Sequence, residues 1–349
     1  MSTSAIFGLG APPSQRPRTA LTRSQMRAFH ARSGARHLAI AARQFAVLAL
    51  TTWALMVVTN PLIWIPLAFV QGFTVFNFTV LLHEVVHHTI FDRRRPAAER
   101  ALGWLYAVPS GISASQFTRW HLDHHAELGS DEDDPKRHHL SPKTNARWFK
   151  LLYCSPALFP IYFRAARKES ATYPAALQQR IALERKVSIA AHLAVLASIW
   201  TLAGGLAAAR AYIVPVFFIF PIAFTLNRLG QHYDIDPTDP AKWGTLMRGN
   251  WFWDFAFLNS NYHLEHHYFA GVPFYRLPEL QRALAPFYER HRMRWQSYSG
   301  LLYGWLVENR APHTNWSRDA LNEVRDAAAV APHVGPVDLS RSDSTLHPR

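Results

Sequence analysis

One cysteine, Cys154, stands in the whole chain. An internal disulfide is therefore excluded, and so is an iron–sulfur cluster or cysteine-based metal site built within one chain. Acid is scarce as well: 24 Asp and Glu face 37 Lys and Arg, a formal net charge of +13. Residues 1–43 carry Arg16, Arg18, Arg23, Arg27, Arg32, Arg36 and Arg43 with no carboxylate between them. From Phe45 to Leu82 there is neither a charge nor a histidine. The chain also has no Gly-x-Gly-x-x-Gly dinucleotide loop and no haem-binding cytochrome domain, and no nucleic-acid motif accompanies its positive charge.

What is present begins with that uncharged run. It is close to twice the roughly 20 residues that cross a bilayer core. Asn60 and Pro61 supply a turn in its middle, so the run reads as two spans, about 44–60 and 62–83. A second apolar block, Val187 to Asn227, is interrupted by Gly204, Gly205 and Arg210 and reads as spans of about 187–206 and 211–229. The expected fold is an all-α integral membrane protein with four transmembrane helices in two hairpins. Basic residues crowd the N-terminal arm and the long middle segment, while Arg210 alone charges the two short connections. The positive-inside rule then puts both termini and the middle segment in the cytoplasm. A retained first span fits the N-terminus better than a cleaved signal peptide.

Residues 101–118 and 148–163 are apolar but broken by prolines, and are expected to lie at the interface or re-enter. The division expected is a basic arm over 1–43, a transmembrane and catalytic domain over 44–310, and a polar, disordered tail over 311–349. His192 sits inside a span and is expected to make an interhelical hydrogen bond.

Nineteen histidines beside one cysteine point a transition-metal site toward imidazole. They cluster in three boxes: His83-Glu84-Val85-Val86-His87-His88, His121-Leu122-Asp123-His124-His125 and His263-Leu264-Glu265-His266-His267. Residues three or four apart share one helix face, so each box aims two or three imidazoles at one point. The topology brings all three to the same membrane face. The first box also contains His-Glu-x-x-His, a zinc peptidase pattern, but that reading leaves the other two boxes unexplained. A zinc site takes four ligands. Eight or more imidazoles suit two metals, and neutral nitrogen fits iron as well as zinc or copper.

The boxes resemble those of the membrane fatty acid desaturases and their hydroxylase and ketolase relatives, over about residues 45–300. The longest similarity is Asn259-Ser260-Asn261-Tyr262-His263-Leu264-Glu265-His266-His267, then Gly271-Val272-Pro273-Phe274 and Arg276-Leu277-Pro278. His121 to His125, with Gly129 and Asp134-Pro135 downstream, is similar to the second box. The resemblance implies a cytoplasmic helical cap holding two non-haem irons, with O2 as co-substrate. It implies a further ligand at His232, with Asn227 acting through water. Family members space the first box by four or by five, so His87 is preferred while His88 stays a candidate. The ligand set is thus His83, His87, His88, His121, His124, His125, His232, His263, His266 and His267.

Metal-bound imidazoles usually give their other nitrogen to a carboxylate or carbonyl. Glu84, Asp123 and Glu265 lie in the boxes and Asp131, Glu132, Asp133 and Asp134 follow the second; Asp134 is the one preferred. The implied activity is introduction of a C=C bond into a fatty acyl lipid, through an apolar tunnel lined from Trp104, Phe117, Trp120 or Trp251. The alternatives are a hydroxylase or ketolase on a carotenoid, sterol or alkane, and a histidine-rich metal transporter. Electrons are expected from outside, from a ferredoxin or a cytochrome with its reductase.

Overall fold

A computed structural model describes residues 17–128, 134–136, 142, 144–233, 240–242 and 244–310. The tail from 311, Gly129 and the acids at 131–133 lie outside the described residues. Among the described residues the elements are helices, with one isolated β-bridge between Met247 and Gln296.

Helix α1 (Arg23–Phe29) is started by a capping box, in which Thr22 accepts from the Gln25 N–H and Gln25 answers the Thr22 N–H. Helix α2 (Gly34–Val57) starts on the Ser33 cap, ten residues before the apolar run. Its first turns carry charge that a hydropathy reading discards, but the structure gives that charge partners. His37 is buried against the Tyr106 hydroxyl at 3.1 Å, and the Arg43 guanidinium lies 5.1 Å over the Phe255 ring. Asn60 caps α3 (Pro61–Val86), whose Pro61 needs no N–H partner at the first helical position.

The segments expected to be interfacial form four helices too short to span: α4 (Pro96–Ala107), α5 (Ala114–Ala126), α6 (Arg147–Leu152) and α7 (Leu158–Ser170). Then come α8 (Ala175–Ala203) and α9 (Gly205–His232), joined at Gly204, whose φ of +85° a side chain would strain. Helix α8 reaches a dozen residues further back than its apolar core, because Arg180, Glu184 and Arg185 find partners on α5 and within their own turns. The chain closes through α10 (Trp251–Ala256), α11 (His263–Tyr268), α12 (Leu277–Ala283), α13 (Ala285–Arg290) and α14 (Tyr298–Leu302).

Four helices, α2, α3, α8 and α9, are long and apolar enough to cross a membrane. Their outer faces leave Leu62 83%, Leu202 79% and Leu206 79% exposed, surface that suits lipid rather than water. The inner faces of α3 and α9 are packed closely. An added Cβ at Gly72 would stand 2.6 Å from the Ile219 side chain and 2.9 Å from the Pro215 carbonyl. Residues 209–219 of α9 are wound as a π-helix around Pro215. In that winding bonds run five residues back, so Pro215, which has no N–H, makes none to the Arg210 carbonyl. The Gln71 side-chain amide donates to the neighbouring Ala211 carbonyl at 2.6 Å, a polar tie between α3 and α9.

Candidate metal centre

The three boxes converge. His83 lies in the last turn of α3 and His87 caps it; His121, His124 and His125 lie on α5; His232 ends α9; His263, His266 and His267 lie on α11. These nine side chains form two groups, each with its ring nitrogens within 4.8 Å of one another. One holds His83, His87, His121, His125 and His266; the other holds His124, His232, His263 and His267. The Nε2 atoms face one another at 3.1 Å for His83 and His266, 2.8 Å for His87 and His121, and 3.0 Å for His125 and His266. In the second group the separations are 3.1 Å for His124 and His232, 3.1 Å for His232 and His263, and 2.9 Å for His263 and His267.

Each neutral imidazole has one N–H and one lone pair. Several Nε2 atoms turned on one point cannot all be satisfied by hydrogen bonds among themselves, whereas a cation between them would use every lone pair. Burial lowers the pKa of the His124 ring to about 4 even with Asp134 raising it. His87, His121, His125, His263, His266 and His267 are likewise lowered, burial first and the neighbouring histidines, with Lys136 for some, second. Rings kept neutral are rings ready to coordinate. The donor set therefore fits two metal ions.

His88 is the sequence candidate that joins neither group. The hydrogen bonds that end α3 explain it. The Thr89 N–H bonds the Glu84 carbonyl and the His88 N–H bonds the Val85 carbonyl, a Schellman turn with His88 in the left-handed position at φ +55°. That turn swings the side chain away, and its Nδ1 meets Glu99 at 2.9 Å.

The supporting acids sort differently from their sequence positions. Asp134 accepts from His124 Nδ1 at 2.8 Å, the orientation a ligand imidazole needs. Glu84 sits 3.4 Å from His83 Nδ1 and also accepts from the Thr89 hydroxyl and the Phe274 N–H. Asp123 turns outward to Arg119 at 2.8 Å. Glu265 accepts from Tyr288 and Gln281, tying α11 to α12 and α13 rather than to a ring. Asn227 is held in a chain: Gln231 donates to its Oδ1 at 2.8 Å and its amide donates to Ser260 Oγ at 2.7 Å. His192 bonds the Val108 carbonyl at 2.8 Å and the Tyr212 hydroxyl, a tie between helices.

Two neighbours carried no sequence signal. The Lys136 amine stands 2.9 Å from His121 Nδ1, with burial lowering its pKa to about 7. Glu184, buried on α8, accepts from Ser113 Oγ at 2.6 Å and from the Ser115 N–H at 2.8 Å, and so holds the start of α5.

A cavity opens beside the histidines, walled by Phe76, Val80, Phe117, Trp120, Phe159 and Phe224. Of the aromatics expected to line a tunnel, Phe117 and Trp120 do so and Trp104 and Trp251 do not. Trp251 is 82% exposed beside Phe252 and Phe255 on α10, the position of an interfacial anchor.

Comparison with known proteins agrees with this geometry. The profile of the family described as Fatty acid desaturase matches residues 59–299. The chain belongs to the fatty acid desaturase family. It is 28% identical over 251 residues to the sphingolipid delta(4)-desaturase/C4-monooxygenase DES2 of Homo sapiens, covering 67% of this chain and 69% of that protein. It is 26% identical over 246 residues to sphingolipid delta(4)-desaturase DES1 of Drosophila melanogaster, covering 67% and 70%. With sphingolipid delta(4)-desaturase of Candida albicans it shares 27% identity over 288 residues, covering 73% and 70%. The chain is thus a lipid-acting oxidoreductase of the membrane desaturase kind.

Proposed function

We propose that this desaturase introduces a C=C bond into the hydrocarbon chain of a membrane lipid, using two irons held by the two histidine groups. The carrying observation is the position of those groups, nine imidazoles, seven of them buried and His83 and His87 half-buried, beside a largely apolar cavity. His83, His87, His121, His125 and His266 would hold one iron, and His124, His232, His263 and His267 the other. When bound, the irons supply activation of O2 for removal of hydrogen from an unactivated methylene. The chain's residues do the rest. Phe76, Phe117, Phe159 and Phe224 hold the hydrocarbon and exclude water. Asp134 fixes His124 through its Nδ1–H, and Glu84 approaches His83.

The irons belong on the cytoplasmic side, in a helical cap carried by two transmembrane hairpins, with both termini on that side. The charge distribution supports this, since the connections at Asn60 and Gly204 have Arg210 as their one charge while the opposite ends carry many arginines. Electrons would come from a separate ferredoxin or cytochrome with its reductase, docking through its negative surface. The position of the histidines tells against a transporter. They end the helices, His83 near the end of α3 and His232 at the end of α9, whereas transported ions bind at mid-span.

The test is a lipid profile of cells expressing the chain, beside metal analysis of the purified protein. New double bonds at one chain position, with two irons per chain and loss of both on His124→Ala, are expected. Added oxygen with unchanged unsaturation would overturn the desaturase reading in favour of a hydroxylase.

A further inference from the structure

The cavity is not closed on every side. Of its lining residues Phe163 is 42% exposed, and the rest are buried or half-buried. A ring that lines a cavity and is this exposed stands at its mouth. The charged lining groups lie elsewhere, beside the histidines. Glu84 follows His83, the Lys136 amine stands 2.9 Å from His121 Nδ1, and Arg228 is one turn before His232. Along α7 the lining is Leu158, Phe159, Tyr162 and Phe163, and Phe220 of α9 packs against it.

The depth of α7 decides what lies outside that mouth. The chain from α6 into α7 dips along α9 and returns. The Tyr153 carbonyl accepts from the Thr225 hydroxyl at 2.6 Å. The Phe159 ring then lies 5.1 Å from that of Phe217, and the Tyr162 ring 6.4 Å from that of Phe224. Phe217 and Phe224 precede His232 by 15 and 8 residues, roughly 22 and 12 Å along a helix that rises about 1.5 Å per residue. Phe163, next to Tyr162, therefore lies within the leaflet on the histidine side, whose apolar half is roughly 15 Å deep. The face of α7 that carries it continues through Arg164, Arg167 and Lys168, all exposed. Their long stems can take the charges up to the headgroups. On the next helix, α8, Ile189 and Leu193 are exposed as well. The mouth thus opens on acyl chains rather than on water.

We propose that the mouth at Phe163 is the port through which the hydrocarbon chain of a lipid enters the cavity sideways from that leaflet, with the Phe163 ring as its door. A chain delivered through water would expose its methylenes one after another, a cost that the sideways route avoids. Turning one exposed side chain is also faster than moving a spanning helix. The route rests on the membrane-lipid reading above and adds how the substrate reaches the histidines without leaving the bilayer.

Photo-cross-linking tests it without turnover. Full-length protein in lipid nanodiscs would be given an N-acyl sphingoid lipid or a phosphatidylcholine, each with a diazirine at mid-chain. After graded delays and a flash, mass spectrometry would read label on Val80 and Phe117, inside the cavity. In a Cys154→Ala background, Phe163→Cys carrying a cyclohexyl maleimide should slow that interior labelling roughly tenfold, within the range that association rates span among variants. The same adduct on Leu202→Cys, exposed on α8, should not slow it. Iron content and unfolding temperature should match in the two proteins. Phe163→Ala removes the ring without adding bulk. It should speed interior labelling several-fold and leave the final extent unchanged, as loss of a door does and loss of a wall does not. Interior labelling that ignores the Phe163 adduct, equal slowing by the Leu202 adduct, or a Phe163→Ala protein with altered extent and unaltered rate would each overturn the proposal. Full desaturation by protein carrying the Phe163 adduct would overturn the port and leave the reaction standing. Port-dependent labelling in a protein that makes no double bonds supports the port and counts only against the reaction.

Discussion

His124 makes the two contacts that a ligand and its orienting partner require: Nε2 faces His232 at 3.1 Å and Nδ1–H donates to Asp134 at 2.8 Å. His88 makes neither, being occupied with Glu99. Box spacing leaves His88 a candidate beside the preferred His87, and the backbone turn at the end of α3 is what sets it apart. The difference predicts a contrast in metal content. Asp134→Ala should weaken iron retention roughly 10–100-fold, as loss of an orienting carboxylate does elsewhere. His88→Ala should keep the full complement, because its ring does not face either group. Metal analysis after dialysis against a graded chelator series would read both, and iron loss from His88→Ala equal to that from Asp134→Ala would reject the assignment of ligands made here.

Elements hold those residues in place, and their contacts set the next predictions. The start of α5 depends on one acid from another helix. Glu184 accepts from Ser113, from the Ser115 N–H and from the Ser115 hydroxyl, while Arg185 reaches Gln116 at 2.7 Å. Glu184→Ala would leave those donors buried and unpaired, at a cost of about 1–3 kcal/mol, and would loosen the helix that carries His121, His124 and His125. A lower unfolding temperature together with faster iron loss is expected. Between α3 and α9 the contact is tighter still. Gly72→Leu would drive a side chain into Ile219 and the Pro215 carbonyl, and overpacking of this kind costs about 1–3 kcal/mol or more. Gln71→Leu, one residue away, should destabilise for a different reason, by removing the amide hydrogen bond that ties α3 to the Ala211 carbonyl of α9. Detergent unfolding curves of Gly72→Leu, Gln71→Leu and their double variant would show whether one interface carries both effects, which predicts a combined loss smaller than the sum of the two.

These contacts mark where sequence reading stops. Apolar runs revealed the four long helices, because lipid demands an uncharged surface and nothing else in the chain supplies one. They misplaced the starts of α2 and α8, where polar and charged side chains are tolerated through His37 with Tyr106 and Glu184 with Ser113, partners 69 and 71 positions away. Box spacing found His83, His87 and the histidines of α5 and α11, since 3.6-residue periodicity stacks them. His232 came from family resemblance alone. Lys136 and Glu184 left no trace, because one lysine or glutamate in a helical stretch has no periodicity to betray it.

At the scale of the whole molecule, the argument turns on which side of the bilayer the histidines occupy. All nine sit at the ends of α3 and α9 or in the segments that follow those ends, so they share one side whichever way the chain inserts. In the orientation proposed above, the arginines mark that side as cytoplasmic. Arg32 and Arg36 stand at the start of α2, Arg93 to Arg95 follow α3, and Arg180 and Arg185 lie in the first turns of α8, whereas the Asn60 and Gly204 connections have Arg210 as their one charge. Each basic residue near a span end favours the cytoplasm, and here they act together. The chain has a single native cysteine, Cys154, which leaves the protein open to cysteine mapping once it is replaced. In a Cys154→Ala background, Thr59→Cys should react with a membrane-impermeant maleimide added outside intact cells. Ser299→Cys, exposed on α14, should react only after the cells are opened. Labelling of Ser299→Cys from outside would invert the topology and place the histidines away from any cytoplasmic electron donor, so this one measurement bears on orientation and on the source of electrons together.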